Sequence, residues 1–478
     1  MISTADGHLI ERGRTLPMGL DNLLLSRIQF AFTIGYHILW PAWTIGISGF
    51  IVVLNMLWFR TRRPVYRDLL RFWIHLFALG FAMGVVTGIV LSYEIGTNWS
   101  VFANRTSNVI GPYFTYEVLT AFFLEAGFIG IMLFGMERVG PRLHFVACSM
   151  VALGAMFSAF WILVANSWMQ TPAGFTVDAD GKFEVANWWA AIFTPSMPYR
   201  FAHMVTAAYI TGAFVVIGVC GFYLWRRQHA EFARAGLSVA MWLALVLTPV
   251  QIILGDLHGL NTLRHQPIKL AAMEGDWETR RGQPLTLFAW PNMAAERNDY
   301  ALEIPKLGSL LLTHDLDGEV QGLKAVPPAE RPYVPIVFWA FRGMAGIGFV
   351  LTAIAFCGAF LRWRGRLYTT GWFNFICAFS SPLGFIAVVS GWTVTEVGRQ
   401  PYLVYGYLRT ADSVSAVAAS AVSVSLILFV TLYAALLAAF FVYAARAVFQ
   451  GPATYEPLAK PAAVRPGLDS VPAGVPAP

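Results

Sequence analysis

Charged residues make up only 13% of the 478-residue chain, against 57% hydrophobic ones, and the mean hydropathy is +0.58. So little charge cannot coat a water-exposed fold of this size, so a polytopic membrane protein is expected. The net charge of +6 then carries no nucleic-acid meaning, because basic residues of membrane proteins gather on the cytoplasmic face. Cysteine is almost missing. Cys148, Cys220, Cys357 and Cys377 all lie in apolar runs and no two have CxxC spacing. This excludes covalent CxxCH haem attachment, disfavours a thiolate zinc or iron–sulfur site, and leaves packing as their role. The nine histidines include no adjacent pair, which argues against a haem–copper oxidase architecture. The opening MISTADGHLIERGRTLPMGL lacks the long apolar core and clear cleavage site of a secretory signal. No fixed-period repeat stands out.

What is abundant is apolar sequence. A bilayer crossing needs about 20 residues, and nine runs qualify: 27–58, 72–96, 112–136, 142–166, 200–225, 236–257, 333–361, 370–393 and 413–445. An all-α protein of about nine transmembrane helices is expected. Arg60, Arg62, Arg63, Arg67 and Arg71 follow the first run, Arg138 and Arg142 the third, Arg226, Arg227 and Arg234 the fifth, and Arg362, Arg364 and Arg366 the seventh. The positive-inside rule places the N-terminus outside and the C-terminus in the cytoplasm.

The expected organisation is an N-terminal extension (1–21), helices 1–6 (22–258), a long outer loop (259–332), helices 7–9 (333–446) and a disordered tail (447–478) rich in Pro and Ala. The outer loop carries much of the mixed charge, including KLAAMEGDWETRRGQP, and a loop that long tends to be functional. GFAMGVVTG (80–88) spaces small residues for close helix packing.

Ionisable residues inside spans are costly and therefore informative. They are His37, Glu117, Glu125 and His203, with Glu396 and Arg399 closing the eighth run in GWTVTEVGRQP. On the expected topology all but Glu125 fall in the outer half. Glu125 lies eight residues past Glu117, about 12 Å deeper along a helix. A cluster near the outer face with one carboxylate leading inward suggests a redox or ligand site with a proton route. Imidazole, thioether and carboxylate all ligate porphyrin iron. Met344, in FWAFRGMAG, lies at a depth like that of His203, so the two could form a six-coordinate site, with Arg342 neutralising a propionate. Glu396 could equally pair with Arg399. Two other readings stay open on the residues alone: a cytochrome b electron-transfer module, and a proton-coupled transporter using Glu117 and Glu125.

The motifs SRIQFAFTIGYH, GTNWS, YEVLTAFFLE, SAFWILVANSWMQTP, KLAAMEGDWET, WAFRGMAG and GWTVTEVGRQP resemble subunit I of the cytochrome bd quinol oxidases, over about residues 22 to 445. The resemblance implies a terminal oxidase of the bacterial inner membrane that oxidises quinol (ubiquinol or menaquinol) outside. It reduces dioxygen to water and builds proton motive force without pumping. It implies three haems. His203 and Met344 would ligate a low-spin haem b, and His37 and Glu396 one each of two high-spin haems, a haem b and either haem d or a further haem b. Trp392, Arg342 and Arg399 would contact cofactor. Glu117 would sit beside the high-spin pair, and Glu125 would belong to the proton path, with Ser158 nearby. Lys269 and Glu274 would serve the quinol. A second membrane subunit, and a very small third one, are the implied partners. The short outer loop, and Tyr402 after GRQP where long-loop members carry Trp, resemble the cyanide-insensitive branch.

Overall fold

The structure is a computed structural model that describes residues 21–452. Fifteen α-helices and four small strand pairs make up these residues. In chain order the helices are α1 (Asn22–His37), α2 (Leu39–Thr61), α3 (Pro64–Asn98), α4 (Ser100–Glu117), α5 (Phe123–Phe134), α6 (Pro141–Gln170), α7 (Trp188–Ile192), α8 (Met197–Trp225), α9 (Ala230–His265), α10 (Pro267–Glu274), α11 (Leu307–Thr313), α12 (Val334–Trp363), α13 (Gly371–Phe379), α14 (Ser381–Val397) and α15 (Ala419–Gln450). Among the described residues nine helical segments are long and apolar enough to cross a membrane, as the hydropathy pattern predicts. The expected N-terminal extension and C-terminal tail fall largely outside the described residues.

Several spans are not single rods, and sequence chemistry explains the breaks. The first is divided at Ile38, directly after His37. Pro41 has no N–H to offer the carbonyl of residue 37, so the helix loosens where the imidazole projects. The eighth divides at Ser380, ahead of Pro382. The third contains a π turn, Val118–Phe122, between α4 and α5.

The central helix is α8, the most buried of the spans, while α15 is the most exposed. α8 touches α2 so closely that a Cβ on Gly46 would stand 2.3 Å from the Ala208 carbonyl oxygen. Around it Phe50, Trp73, Phe77, Phe214, Tyr223 and Phe373 form the main apolar core. The small-residue stripe of α3 does serve packing. Gly80 faces the Trp43 ring, Gly84 the Trp40 Cβ, and Gly88 the His37 ring, which a Cβ there would meet at 3.3 Å.

The 259–332 connection is folded rather than structureless. α9 runs on to His265 and α10 follows at once, capped by Gly275 in the left-handed region (φ 78°). The strands are β1 (Phe175–Val177), β2 (Phe183–Val185), β3 (Arg280–Arg281), β4 (Leu285–Asn292), β5 (Arg297–Ile304), β6 (Glu319–Val320), β7 (Tyr402–Val404) and β8 (Leu408–Arg409). Each pairs antiparallel, β1 with β2, β3 with β6, β4 with β5 and β7 with β8. The β4–β5 hairpin and α11 lie over α10, whose Ile268, Leu270 and Met273 form a separate apolar core with Trp277, Leu323, Val334 and Val337.

Candidate functional site

Glu396, in the last turn of α14, is the centre of a polar cluster. Its Oε2 accepts from Arg399 Nη2 one turn on. Its Oε1 accepts from Asn166 Nδ2 at 2.9 Å and from Gln170 Nε2 at 3.4 Å, both near the end of α6. Asn166 in turn accepts from Arg200 of α8. Lys269 of α10 donates to Gln170, and to Gln266 Oε1 at 2.7 Å. Arg200, Lys269 and Arg399 thus face a single carboxylate. Burial, and then the Arg200 charge, pushes the Lys269 amine well below its ordinary range. Arg399 Nε and Nη1, Arg200 Nε and Trp392 Nε1 are buried without a partner among the described residues.

The histidines occupy separate positions. His37 Nδ1 lies 2.8 Å from Thr87 Oγ1. With the Thr87 hydroxyl donating to the Met83 carbonyl at 2.8 Å, the tautomer with Nδ1 as donor and a free Nε2 lone pair, the ligand form of imidazole, is compatible with this contact. His203 of α8 faces α9, where Gly255 leaves room beside its ring. The His258 ring lies 5.5 Å from it, centroid to centroid. Met344 of α12 points at α14, where a Cβ on Gly391 would come within 2.8 Å of its sulfur.

These residues fit a porphyrin-bound iron. Nitrogen, thioether and carboxylate donors are present on α1, α8, α12 and α14. Glycines stand beside three of them, and buried guanidinium nitrogens without partners suit acidic porphyrin substituents. The Glu–Arg pair and a ligand role are compatible, since the pair leaves two Arg399 nitrogens unengaged.

Glu117 and Glu125 both face α6. Eight residues apart on an unbroken α-helix, they would diverge by about 80°. The π turn adds one residue and brings them back to within about 20°. Ser158 Oγ donates to Glu117 Oε1 at 2.8 Å, so Ser158 accompanies Glu117, not Glu125 as the sequence suggested. Glu125 packs against Gly154, where a Cβ would stand 2.5 Å from its Cγ.

The loop residues expected to act together are divided. Lys269 looks toward Glu396, whereas Glu274 looks toward Arg342, with Nη2 to Oε2 at 3.5 Å. Arg342 also donates to the backbone carbonyls of Met273 and Thr286 and lies over the Phe338 ring. It is therefore tied to the loop, which limits its reach to a propionate. Asp276, buried, accepts from Gln283. Burial pushes the Glu274 carboxyl up, opposed by Arg342. Burial and then the Glu274 charge push Asp276 up to about 8.

Sequence reasoning missed Arg200, Asn166, Gln170, Gln266, Thr87, His258 and Asp276 as site residues. Asn166 and Gln170 stood in the quoted LVANSWMQ and Asp276 in KLAAMEGDWET, but the partners of Asn166 and Gln170 are distant in sequence.

Residues 25–452 match the family model described as Cytochrome bd terminal oxidase subunit I. The Cytochrome bd-II ubiquinol oxidase subunit 1 of Escherichia coli (strain K12) is 32% identical over 480 residues, covering 86% of this chain and 93% of the relative. The Cytochrome bd ubiquinol oxidase subunit 1 of Bacillus subtilis (strain 168) is 34% identical over 426 residues, covering 87% and 91%. The solved bd oxidase from Geobacillus thermodenitrificans superposes with a TM-score of 0.83 at 31% identity, covering 90% of this chain and 99% of that one.

Proposed function

The chain belongs to the cytochrome bd terminal oxidase subunit I family, and from that premise we propose that it oxidises quinol at the outer face of the cytoplasmic membrane and reduces dioxygen to water. It is a multi-pass membrane protein, and a second membrane subunit would complete the oxidase. A very small third subunit would be an accessory. The observation that carries the reading is the Glu396 cluster, where three buried cationic side chains converge on one half-buried carboxylate at the end of a span. The Arg-rich links at the opposite ends of the spans support an N-terminus outside and a C-terminus inside.

Bound haem would supply one-electron transfer and the chemistry of dioxygen binding and reduction. His203 and Met344 would hold a low-spin haem b. His37 and Glu396 would each hold one of two high-spin haems, a haem b and a haem d or further haem b, with Trp392 alongside and Arg399 and Arg200 on the acidic substituents. Glu274 and Asp276 would accept the quinol protons, and their raised proton affinity suits bases working near neutral pH. Lys269, held by Gln170 and Gln266, reaches a quinone oxygen only by exchanging one of these bonds. Glu125 and then Glu117 hand protons from the inner side toward the outer half. Quinol protons leave outside and water protons arrive from inside, so turnover is electrogenic without a pump.

The test is a reduced-minus-oxidised visible spectrum of the complex purified with its second subunit, repeated under carbon monoxide. Haem b absorption, part of it shifted by carbon monoxide, is expected. A far-red chlorin band would identify haem d, and its absence an all-b oxidase. Haem with no carbon monoxide response would replace the oxidase with an electron-transfer module. No haem would overturn the reading. His203→Ala is expected to remove the low-spin signal, and survival of that signal would dismiss the ligand assignment.

A further inference from the structure

The mechanism above leaves one buried carboxylate unused. Glu94 of α3 is 1% exposed. Its Oε2 accepts from Thr33 Oγ1 of α1 at 2.6 Å, while Oε1 has no partner among the described residues. Glu94 lies seven residues beyond Thr87, the residue that orients His37, and so on the same face of α3, about 10 Å nearer the helix end that carries Asn98. Two polar rungs therefore join α1 to α3, His37 with Thr87 and Thr33 with Glu94.

Polar groups continue from Glu94 to that end of the helix. Asn98, one turn on, is buried and its Nδ2 lacks a partner among the described residues. The Asn98 carbonyl accepts from Ser415 N, Ser415 Oγ bonds Ser100, and the Ser415 carbonyl accepts from Asn22 Nδ2 at the exposed start of α1. On the α15 side, Ser425 donates to Gln29 Oε1. The Tyr36 and Tyr433 hydroxyls, on rings 4.5 Å apart, are also buried without a partner among the described residues. Buried polar atoms that protein leaves unbonded are ordinarily met by water.

The ionisable groups facing this space are Tyr36 and His37 from α1 and Tyr433 from α15. α4 begins beside it with Ser100. α2 packs lower on α3 through Trp43, α9 through Gly236, and the loop after α5 meets Arg71 at the far end.

We propose that Glu94 is a proton-exchange group that compensates charge at the His37 site through a polar column open to the outer face. The proposal rests on the haem-site reading of His37. With a haem held at that site, each added electron would be balanced by one proton taken up from the outer aqueous phase onto Glu94 Oε1, and loss of the electron would return that proton to the same phase. One electron and one proton arrive and depart together, and no proton crosses the membrane by this route.

The experiment is redox difference infrared spectroscopy of the intact oxidase complex and its Glu94→Gln variant, with a parallel titration of the potential of the His37-held haem against pH. Glutamine keeps the volume and can still accept from Thr33, so a merely structural Glu94 predicts no change in either readout. The expected result is a carboxylic-acid carbonyl band that is lost in Glu94→Gln and kept in Glu125→Gln, with a weakened pH dependence of the potential. Thr33→Val is expected to shift that band without removing it, which keeps the idea testable if Glu94→Gln fails to assemble. A band and pH dependence unaltered in Glu94→Gln, or a band indifferent to Thr33→Val, would overturn the proposal. Haem spectra and carbon monoxide binding stay normal in that case, whereas their absence in the parent complex would overturn the oxidase reading itself.

Discussion

Glu396 and Glu117 both sit in spans, yet their surroundings are opposites. Glu396 is held by a guanidinium and two amides, within reach of two further cations contributed by α8 and α10. Glu117 is held by one serine hydroxyl, and its neighbour Glu125 rests against a glycine. The first arrangement fixes a negative charge at a definite point, as a ligand or propionate-binding centre requires. The second sets two carboxyls in line against α6 with no ion pair among the described residues, as a relay that must gain and lose protons requires. Both carboxylates are half-buried, so the difference between the two settings lies in the cations.

Removing the anchor is expected to have the largest effect. Glu396→Ala leaves Arg399 and Arg200 buried beside no carboxylate, and breaking a buried pair from one side costs about 3–5 kcal/mol. A high-spin haem signal should be lost or strongly perturbed, and assembly of the complex should weaken. Haem content by pyridine haemochrome and the carbon monoxide difference spectrum check both. An unchanged spectrum would reduce Glu396 to an ion-pair partner.

The relay should fail differently. Glu117→Gln can keep the Ser158 bond and Glu125→Gln keeps the volume, so haem content should stay near normal. Turnover should fall by about 10²-fold, the scale of losing one positioned proton-transfer group. Oxygen consumption per haem measures this. Equal loss of haem and of activity would place these residues with the anchor.

A further contrast lies in the loop, between Lys269 and Glu274. Burial has shifted Lys269 down toward the neutral amine, and Glu274 and Asp276 up toward the neutral acid. The acid accepts a quinol proton only when ionised, so quinol-limited turnover should rise with pH through about 8, where Asp276 titrates. Asp276→Asn should flatten that rise by severalfold with the haem spectrum unchanged. A steady-state pH profile at subsaturating quinol is the measurement.

The span count, the basic links and the single carboxylates and imidazoles were all legible in the sequence, because the cost of burying charge in lipid is a local property of each residue. The Glu396 cluster was only half legible. Arg399 is three residues away, whereas Asn166, Gln170, Arg200 and Lys269 arrive from three other helices, and no periodicity announces a contact between distant segments. The resemblance set Ser158 beside Glu125, whereas its hydroxyl bonds Glu117. The π turn, which resets the register by one residue, has no clear signature in VLTAF. Glu94 escaped notice within an apolar run next to GTNWS, although the same rule about buried charge applied to it.

The smallest effect is expected at the rim, and it sharpens the distinction between buried and half-exposed charge. Tyr402 donates to Glu330 Oε2 at 2.6 Å, and Arg409 pairs with Oε1 of the same residue. This clamp joins the segment after GRQP to the start of α12, close to the Glu396 cluster in sequence but open to solvent, with Arg409 40% exposed. A half-exposed pair is screened and contributes about 0.2–1 kcal/mol, and the Tyr402 bond adds about 1 kcal/mol. Tyr402→Phe should therefore lower the thermal midpoint of the complex by only a few degrees. It should leave the haem spectrum, carbon monoxide response and quinol kinetics unchanged. A spectral change of the size expected for Glu396→Ala would show that the clamp and the anchor form one unit, and that charge at this rim is held as tightly as charge in the span.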